Sequence, residues 1–387
     1  MSPPPSIAPP LLAPAVAFVD LDAVAANYRA IRDRVAPRDV IAVVKANAYG
    51  HGAREVARTL AAEGARRFAV AHTAEGVGLR RAGVGGEILL LSHAEPAELP
   101  IQRAYGLTPV LYDMAQAAEL ARAVRGSGPP LAVHVELDTG MGRAGIRPED
   151  VGELAAFLSR SPSLAVAGTF ANLSAADDPS SDATARQVAG LRAGVETLRS
   201  RGVSPGTVHV ANSAAILGMP DAWCDAVRPG LALYGIAPSP SISMGAGAAL
   251  VPAMAVETRV VSVRRVPAGT PLGYGGGGRF VTSRQTTVAV LPIGYHDGFR
   301  RGFSGKISML LRGKAAPVVG AVSMDVTLVD ATESGAERGD RAVFLGSDGA
   351  ASITAWDLAR AAGTIPYEIL CGIGPRVRRV YRGGQGA

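Results

Sequence analysis

Residues 40–52 read VIAVVKANAYGHG. The aliphatic run Val40–Val44 has no polar interruption, the pattern of a strand covered on both faces. Lys45 follows at once, and a helix-like segment, Ala53–Ala62, comes after a Gly-containing turn. The same unit recurs along the chain. Phe68–Ala71 precedes Ala74–Ala82, and further strand candidates stand at Ile88–Leu91, Thr108–Leu111, Leu131–Leu137, Ala165–Phe170 and Val208–Val210. From Val16 to about Tyr234 the alternation repeats about eight times, which specifies a parallel α/β architecture. The length of this region, near the ~250 residues typical of the class, favours a (β/α)8 TIM barrel over an open sheet. In such a barrel reactive residues stand at the C-terminal ends of strands, and Lys45 occupies such a place.

After about Ala237 the texture changes. A linker rich in Pro, Ser and Gly, Pro238 to Gly247, leads into strand-like segments at Val256–Val266, Thr286–Pro292, Pro317–Val322 and Val326–Val329. Gly and Asp turns separate them, the signature of a mostly antiparallel β domain. Ala355–Ala362 is its one sizeable helix. The expected division is a disordered tail over 1–13, a cofactor-binding barrel over 14–237 and a C-terminal β domain over 248–387.

Composition agrees with two domains, since 387 residues at 48% hydrophobic exceed one ordinary core. The net charge of +6 comes from mostly scattered side chains. A C-terminal cluster, Arg376, Arg378, Arg379 and Arg382, reads as a solvated face and has no interleaved aromatics for nucleic-acid binding. Cys224 and Cys371 lack any CxxC or Cys/His spacing, which speaks against a zinc site or disulfide framework and favours a reducing compartment. No metal site is expected. No apolar run reaches membrane-spanning length. The apolar stretch 7–19 contains Pro9, Pro10 and Pro14 and follows no basic segment, so it does not read as a signal peptide. The expected location is the cytoplasm.

Lys45 carries the first chemical indication. An ammonium ion at a strand end inside an apolar barrel is costly to desolvate, and the neutral amine is a nucleophile for an aldehyde. A generic strand-end lysine snorkels to the surface. Here Tyr49 four residues on, with small residues between, suits a tight loop beside a ligand. Ser213 in HVANSAA (His209–Ala215) offers a hydroxyl where a helix can start, as a phosphate monoester requires. The bland reading of Ser213 is an N-cap. No GxxxxGK[ST] is present, so a nucleotide has little support.

The lysine segment resembles the cofactor-lysine motif of the alanine racemases, a family of pyridoxal-phosphate enzymes built from a barrel and a β domain. The resemblance continues in order through FAVAHTAEGVGLRRAG (Phe68–Gly83), DTGMGR (Asp138–Arg143), HVANSAA, VRPGLALYG (Val227–Gly235), LGYG (Leu272–Gly275), LPIGYHDGFRR (Leu291–Arg301), SMD (Ser323–Asp325) and TIPYE (Thr364–Glu368). It covers nearly everything from Ala15 to Tyr381. It implies that Lys45 carries pyridoxal 5'-phosphate and that Tyr49, Ser213, Gly230, Leu231 and Tyr367 hold its phosphate. It also places Arg228 against the pyridine nitrogen, with His209 orienting it. Arginine does not surrender a proton near neutral pH, so the ring nitrogen stays unprotonated and the ring is a weaker electron sink. Side reactions such as transamination are limited thereby.

Racemisation needs an acid or base on each face of the α-carbon. Lys45 serves one face and, by resemblance, Tyr274 the other. Tyrosine titrates near pH ~10 when unperturbed and needs a cation nearby to act as a base. Arg143 is the candidate, and it is also placed to touch the substrate carboxylate. In the family this tyrosine and the residues matching Met324 and Asp325 reach the partner subunit's cofactor. The resemblance therefore implies a head-to-tail homodimer with shared active sites. Tyr367, Tyr274, Met324 and Tyr295 would make a narrow pocket for a small amino acid such as alanine.

Three positions depart from the family. On Val133–Asp138 alternation places His134, Glu136 and Asp138 on one face. Glu136 stands where the family has a lysine, carbamylated and bonded to the arginine matching Arg143, so either Arg143 shifts toward Glu136 or water fills the gap. Asn172 replaces a histidine close to the ring. Ser323 replaces a common cysteine. The activity expected is interconversion of L- and D-alanine, in the service of D-alanine biosynthesis. The alternatives are a broader-specificity racemase, for example of serine, and a pyridoxal-phosphate carrier without turnover. A carrier has no use for a second base on a β domain. Decarboxylases of this fold type need room and counter-charges for a long basic side chain, which a narrow aromatic pocket denies.

Overall fold

The protein is described by a computed structural model over residues 13–92, 95–126, 128–178, 180–242, 244, 249–275 and 280–384. The tail expected over 1–13, apart from Ala13, and part of the Pro238–Gly247 linker lie outside these residues. The chain divides into a barrel unit, centred on Asp22–Pro252, and a β unit made of the segment through Leu21 together with Ala253–Gly383.

The first strand, β1 (Ala15–Asp20), is not where the strand–helix alternation places it, as the pairing below shows. The barrel consists of β2 (Asp39–Val43), β3 (Arg67–Val70), β4 (Glu87–Leu90), β5 (Leu107–Thr108), β6 (Val110–Leu111), β7 (Leu131–Glu136), β8 (Leu164–Phe170), β9 (Thr207–His209) and β10 (Ala226–Val227). All are parallel, in the order β5-β4-β3-β2-β10-β9-β8-β7-β6. β5 and β6 are two pieces of one strand, interrupted at Pro109, which cannot donate to a ladder. Counted once, they leave eight staves and close the ring, the (β/α)8 barrel expected. Helices such as Ala53–Ala62 and Thr73–Arg81 cover the outside, which is why Val40–Val43 are buried without alternation.

The β unit contains β11 (Met254–Arg259), β12 (Ser262–Val266), β13 (Thr286–Leu291), β14 (Ser308–Leu311), β15 (Lys314–Val319), β16 (Thr327–Asp330), β17 (Arg341–Asp348), β18 (Ala351–Ile353) and β19 (Arg378–Arg382). The order is β12-β13-β16-β15-β14-β17-β11-β1-β19, with β18 on β17. β1 runs antiparallel to β11 and parallel to β19, with Ala17 opposite Val256 and Arg379. The barrel therefore does not begin at residue 14. The reason lies in the side chains: Ala15, Ala17 and Val19 are buried while Val16, Phe18 and Asp20 are not, a one-faced strand unlike β2. The eighth stave is instead β10, two residues that no apolar run announces. Val256–Val266 also divides, because the chain turns at Val260–Val261 and sends β11 and β12 to different parts of the sheet.

Phe299, Phe303 and Phe344 form a buried aromatic cluster, with ring centroids 4.9–6.0 Å apart. Ala355–Ala362 is a helix as expected, begun by a capping box. Asp357 N–H donates to Thr354 Oγ1 at 3.1 Å, and Thr354 N–H donates to the Asp357 carboxylate at 2.8 Å. A second, short helix, Pro366–Cys371, presents Tyr367. The arginine cluster is not simply a solvated face. Arg376 grips the fully buried Asp297 with two hydrogen bonds of 2.7 and 2.9 Å and Asp325 with a third of 2.7 Å. Arg379 donates to the carbonyls of Ile373, Gly374 and Val377, and Arg382 lies 3.9 Å from the Phe18 ring centroid.

Candidate active site

At the C-terminal end of β2 the backbone does something rare for L-residues. Ala46, Asn47, Ala48 and Tyr49 all have φ between 52° and 54°, one turn of left-handed helix directly after Lys45. Such a turn persists only when its surroundings over-determine it. Ala46 N–H donates to Glu75 Oε1 at 2.7 Å, while Glu75 Oε2 accepts the N–H groups of Ala71 and His72. Asn47 Oδ1 caps the following helix by accepting from Ala53 N–H at 2.9 Å. Lys45 is thus presented by a strand end and a braced, strained turn. Neither Glu75 nor the handedness of the turn was anticipated from the sequence, although Glu75 sits three residues after His72 in the spacing of a helix start.

The turn carries Tyr49 inward. Its ring packs against Tyr234 with centroids 5.1 Å apart, and Tyr234 Oη donates to Val43 O at 2.9 Å. Gly230 lies over the Tyr49 hydroxyl, so that a Cβ at this position would come within 2.5 Å of Oη. Ser213 Oγ accepts from Gly230 N–H at 2.9 Å and from Ala232 N–H at 3.2 Å, the two donors that flank Leu231. Ser213 keeps its own proton to donate. The helix it starts is capped instead by Asn212, whose Oδ1 accepts from Ala214 and Ala215. The bland reading of Ser213 as an N-cap therefore fails.

Arg228 follows β10 and is buried. Its Nη1 donates to His209 Nδ1 at 2.6 Å and to His209 O at 3.0 Å. Its Nη2 donates to Ala171 O at 2.8 Å and to Asn172 Oδ1 at 3.0 Å, and the guanidinium lies 4.9 Å from the Phe170 ring centroid. Burial lowers its pKa to about 10, still a cation at neutral pH. Burial, reinforced by Arg228, pushes His209 far below the ordinary histidine range, so the ring is neutral.

Glu136, at the end of β7, is tied to Asn172 rather than primarily to Arg143. Asn172 Nδ2 donates to Glu136 Oε1 at 2.7 Å, whereas Arg143 Nη2 stands 4.0 Å from the same oxygen. Burial raises the Glu136 carboxyl above the ordinary range, against the lowering effect of Asn172, Arg143 and Arg228. Asp138, expected on the same strand face, lies beyond the strand and accepts from the N–H groups of Gly140, Met141 and Gly142. Lys45, Tyr112, Glu136, Arg143 and Asn172 line one cleft of about 240 Å3, with Ala71 and Ser92 also in its wall. The remaining candidates belong to the β unit. Tyr274, Met324 and Tyr295 are 69%, 52% and 40% exposed, Asp325 is held by Arg376, and Tyr367 is half-buried. Among the described residues no group of acidic, His or Cys side chains is arranged to hold a metal ion. No helix there is long and apolar enough to cross a membrane.

Residues 19–238 match the family described as alanine racemase, N-terminal domain, and residues 253–381 match alanine racemase, C-terminal domain. The chain is 41% identical over 372 residues to an alanine racemase of Symbiobacterium thermophilum, covering 96% of this chain and 97% of that protein. Among solved structures, an alanine racemase from a D-cycloserine-producing Streptomyces lavendulae superposes with a TM-score of 0.90 at 37% identity, covering 96% of this chain and 98% of that one. An alanine racemase from Bartonella henselae with covalently bound pyridoxal phosphate gives 0.86 at 31% identity, covering 96% and 100%. The chain belongs to the alanine racemase family, whose enzymes work with pyridoxal 5'-phosphate.

Proposed function

We propose that the protein interconverts L- and D-alanine with pyridoxal 5'-phosphate, using Lys45 and Tyr274 as bases on opposite faces of the substrate. The observation that carries the reading is the buried, donor-only Arg228, joined through Asn172 to the cleft that Lys45 lines. The residues fit this cofactor. Gly230 leaves room where any side chain would strike Tyr49, Ser213 has a free proton beside the Leu231 N–H, and Lys45 stands on a strand end. Tyr49, Ser213, Gly230 and Leu231 would hold the phosphate together with Tyr367.

When bound, the cofactor's ring draws electron density from the substrate Cα and makes its proton removable. The chain's own side chains do the rest. Arg228 would face the ring nitrogen of the bound cofactor and, as a group that only donates, would leave that nitrogen without a proton and the ring's pull moderate. Lys45 Nζ takes or returns a proton on one face and Tyr274 Oη on the other. Arg143 receives the substrate carboxylate. Tyr295, Met324 and Asp325 narrow the entrance.

Tyr274, Met324 and Tyr295 are large side chains left exposed on the β unit, a surface suited to cover by a second copy. We propose that it completes the partner's site in a head-to-tail homodimer, and that the enzyme works in the cytoplasm, in keeping with Cys224 and Cys371 not being joined in a disulfide.

The test is chemical. Borohydride treatment of the loaded enzyme followed by peptide mapping finds the cofactor on Lys45; recovery on Lys306 or Lys314 would end the assignment. Tyr274→Phe abolishes racemisation, retains cofactor and leaves α-proton exchange with solvent for one enantiomer. Equal exchange from both enantiomers refutes the two-base reading. A chirally resolved panel of amino acids separates alanine from a broader substrate range.

A further inference from the structure

The hydrogen bonds of Arg228 do not stop at His209. His209 Nε2 lies 2.9 Å from His134 Nδ1, and His134 Nε2 lies 2.9 Å from Glu87 Oε1. Arg228 follows the last stave of the barrel, whereas Glu87 opens β4 at its N-terminal end. The chain of contacts therefore crosses the barrel interior from one end to the other. Both imidazoles are fully buried, while the Glu87 side chain keeps 23% of its surface and has Arg67 Nε 3.5 Å from Oε2.

The barrel is shaped around this chain. A Cβ at Gly168, on the neighbouring strand β8, would come within 2.4 Å of the His134 ring, so only glycine admits the imidazole there. The β7–β8 register shifts between Val133 and His134, at the residue whose ring must fit. Phe170 stacks on His209 with an interplanar angle of 7°.

The protons of the chain have one arrangement. Arginine only donates, so His209 Nδ1 must accept and its hydrogen sits on Nε2. His134 Nδ1 must then accept, and its own hydrogen sits on Nε2. Glu87, an anion, accepts the last bond. The second branch, from Arg228 through Asn172 to Glu136, also runs from the cation to a carboxylate. Burial alone would raise the Glu87 carboxyl, but the hydrogen bond from His134 and the Arg67 charge bring it below the usual range.

We propose that Glu87 and His134 are positioning residues for the reaction: they hold His209 in its Nε2–H tautomer, which leaves Nδ1 to fix Arg228. The inference rests on the reading above that Arg228 meets the cofactor's ring nitrogen. Without an anionic acceptor beyond His134, the two imidazoles can adopt the opposite sense. A hydrogen on His209 Nδ1 would then face the Arg228 N–H across 2.6 Å, and the guanidinium would be displaced. Glu87 thus acts on Arg228 from the far end of the barrel without touching cofactor or substrate.

The experiment begins with the full-length protein labelled with 15N-histidine, with and without cofactor. Long-range 1H–15N spectra are recorded at about pH 8.5, above the ordinary histidine range. His134 and His209 both give the Nε2–H pattern. An Nδ1–H or charged imidazole at either position overturns the proposal, and this measurement needs no variant to fold. Glu87→Ala then mixes the tautomers and lowers turnover on the order of tenfold, as loss of an outer orienting partner does. Glu87→Gln, which keeps a carbonyl acceptor, recovers both the pattern and most of the turnover. Altered tautomers in Glu87→Ala with unchanged turnover and an unchanged cofactor absorption band overturn the positioning role. Cofactor recovered on a lysine other than Lys45 refutes the reading of the site instead, and leaves the histidine spectra as they are.

Discussion

Glu136 and Asn172 are both departures from the alanine racemase pattern, and the structure makes them partners. The Asn172 amide has one orientation only, Nδ2 toward the Glu136 carboxylate and Oδ1 toward the Arg228 guanidinium, because the first only accepts and the second only donates. Glu136→Ala removes the acceptor and leaves the Asn172 N–H unpaired at a half-buried position in the cleft wall, a cost at the lower end of about 1–3 kcal/mol. Turnover should fall further than cofactor affinity, since Arg228 and Arg143 lose alignment while the phosphate contacts stay. Steady-state kinetics beside cofactor titration decide this; wild-type kinetics would reduce Glu136 to a strand residue. Because a glutamate carries its charge without carbamylation, activity should also be indifferent to added or depleted carbon dioxide.

At the scale of elements, the left-handed turn of Ala46–Tyr49 joins stability to function. Each non-glycine residue in this region costs about 1–2 kcal/mol relative to a right-handed one. The turn is kept because Glu75 and Asn47 hold it from two sides. Ala46→Gly relieves strain at an exposed position, and the melting temperature should rise with a gain of up to about 1 kcal/mol. Turnover should fall, because the backbone that aims Lys45 becomes free to move. Paired thermal melts and kinetics test the trade-off. A variant that is both less stable and fully active would contradict it.

For the whole molecule, buried histidine sets a pH limit. The folded pKa of His209 lies well below the ordinary value because of burial and Arg228, so below about pH 6.5 the unfolded chain binds a proton that the folded barrel refuses. This contribution to stability is complete above that pH and is lost as pH falls, with a limiting slope of about 1.4 kcal/mol per pH unit. Glu87 has a lowered pKa and loses its contribution further down, through the carboxylate range, while the raised Glu136 works in the opposite direction. Melting temperature measured between about pH 7.5 and about pH 5 should decline more steeply for the wild type than for His209→Gln. Parallel slopes would show that His209 is not the buried neutral group described here.

The sequence by itself determined the barrel, the β domain and the end of β2 as the home of Lys45, because those features depend on local periodicity: continuous apolar runs, a period of two, and turn residues at their ends. It also determined the family, through motifs kept in order from Ala15 to Tyr381. What only the tertiary structure decided depends on contacts between segments distant in the chain. β1 resembles a barrel strand in composition, yet its alternation matters only once β11 and β19 lie beside it. β10 is too short for any pattern, and closes the barrel because β2 and β9 flank it. Glu87 and His134 are unremarkable in one dimension, forty-seven positions apart, and become a hydrogen-bonded pair only inside the closed barrel. Periodicity is local and can be read along the chain, whereas the partner of a buried polar group is fixed by which strands the ring brings face to face.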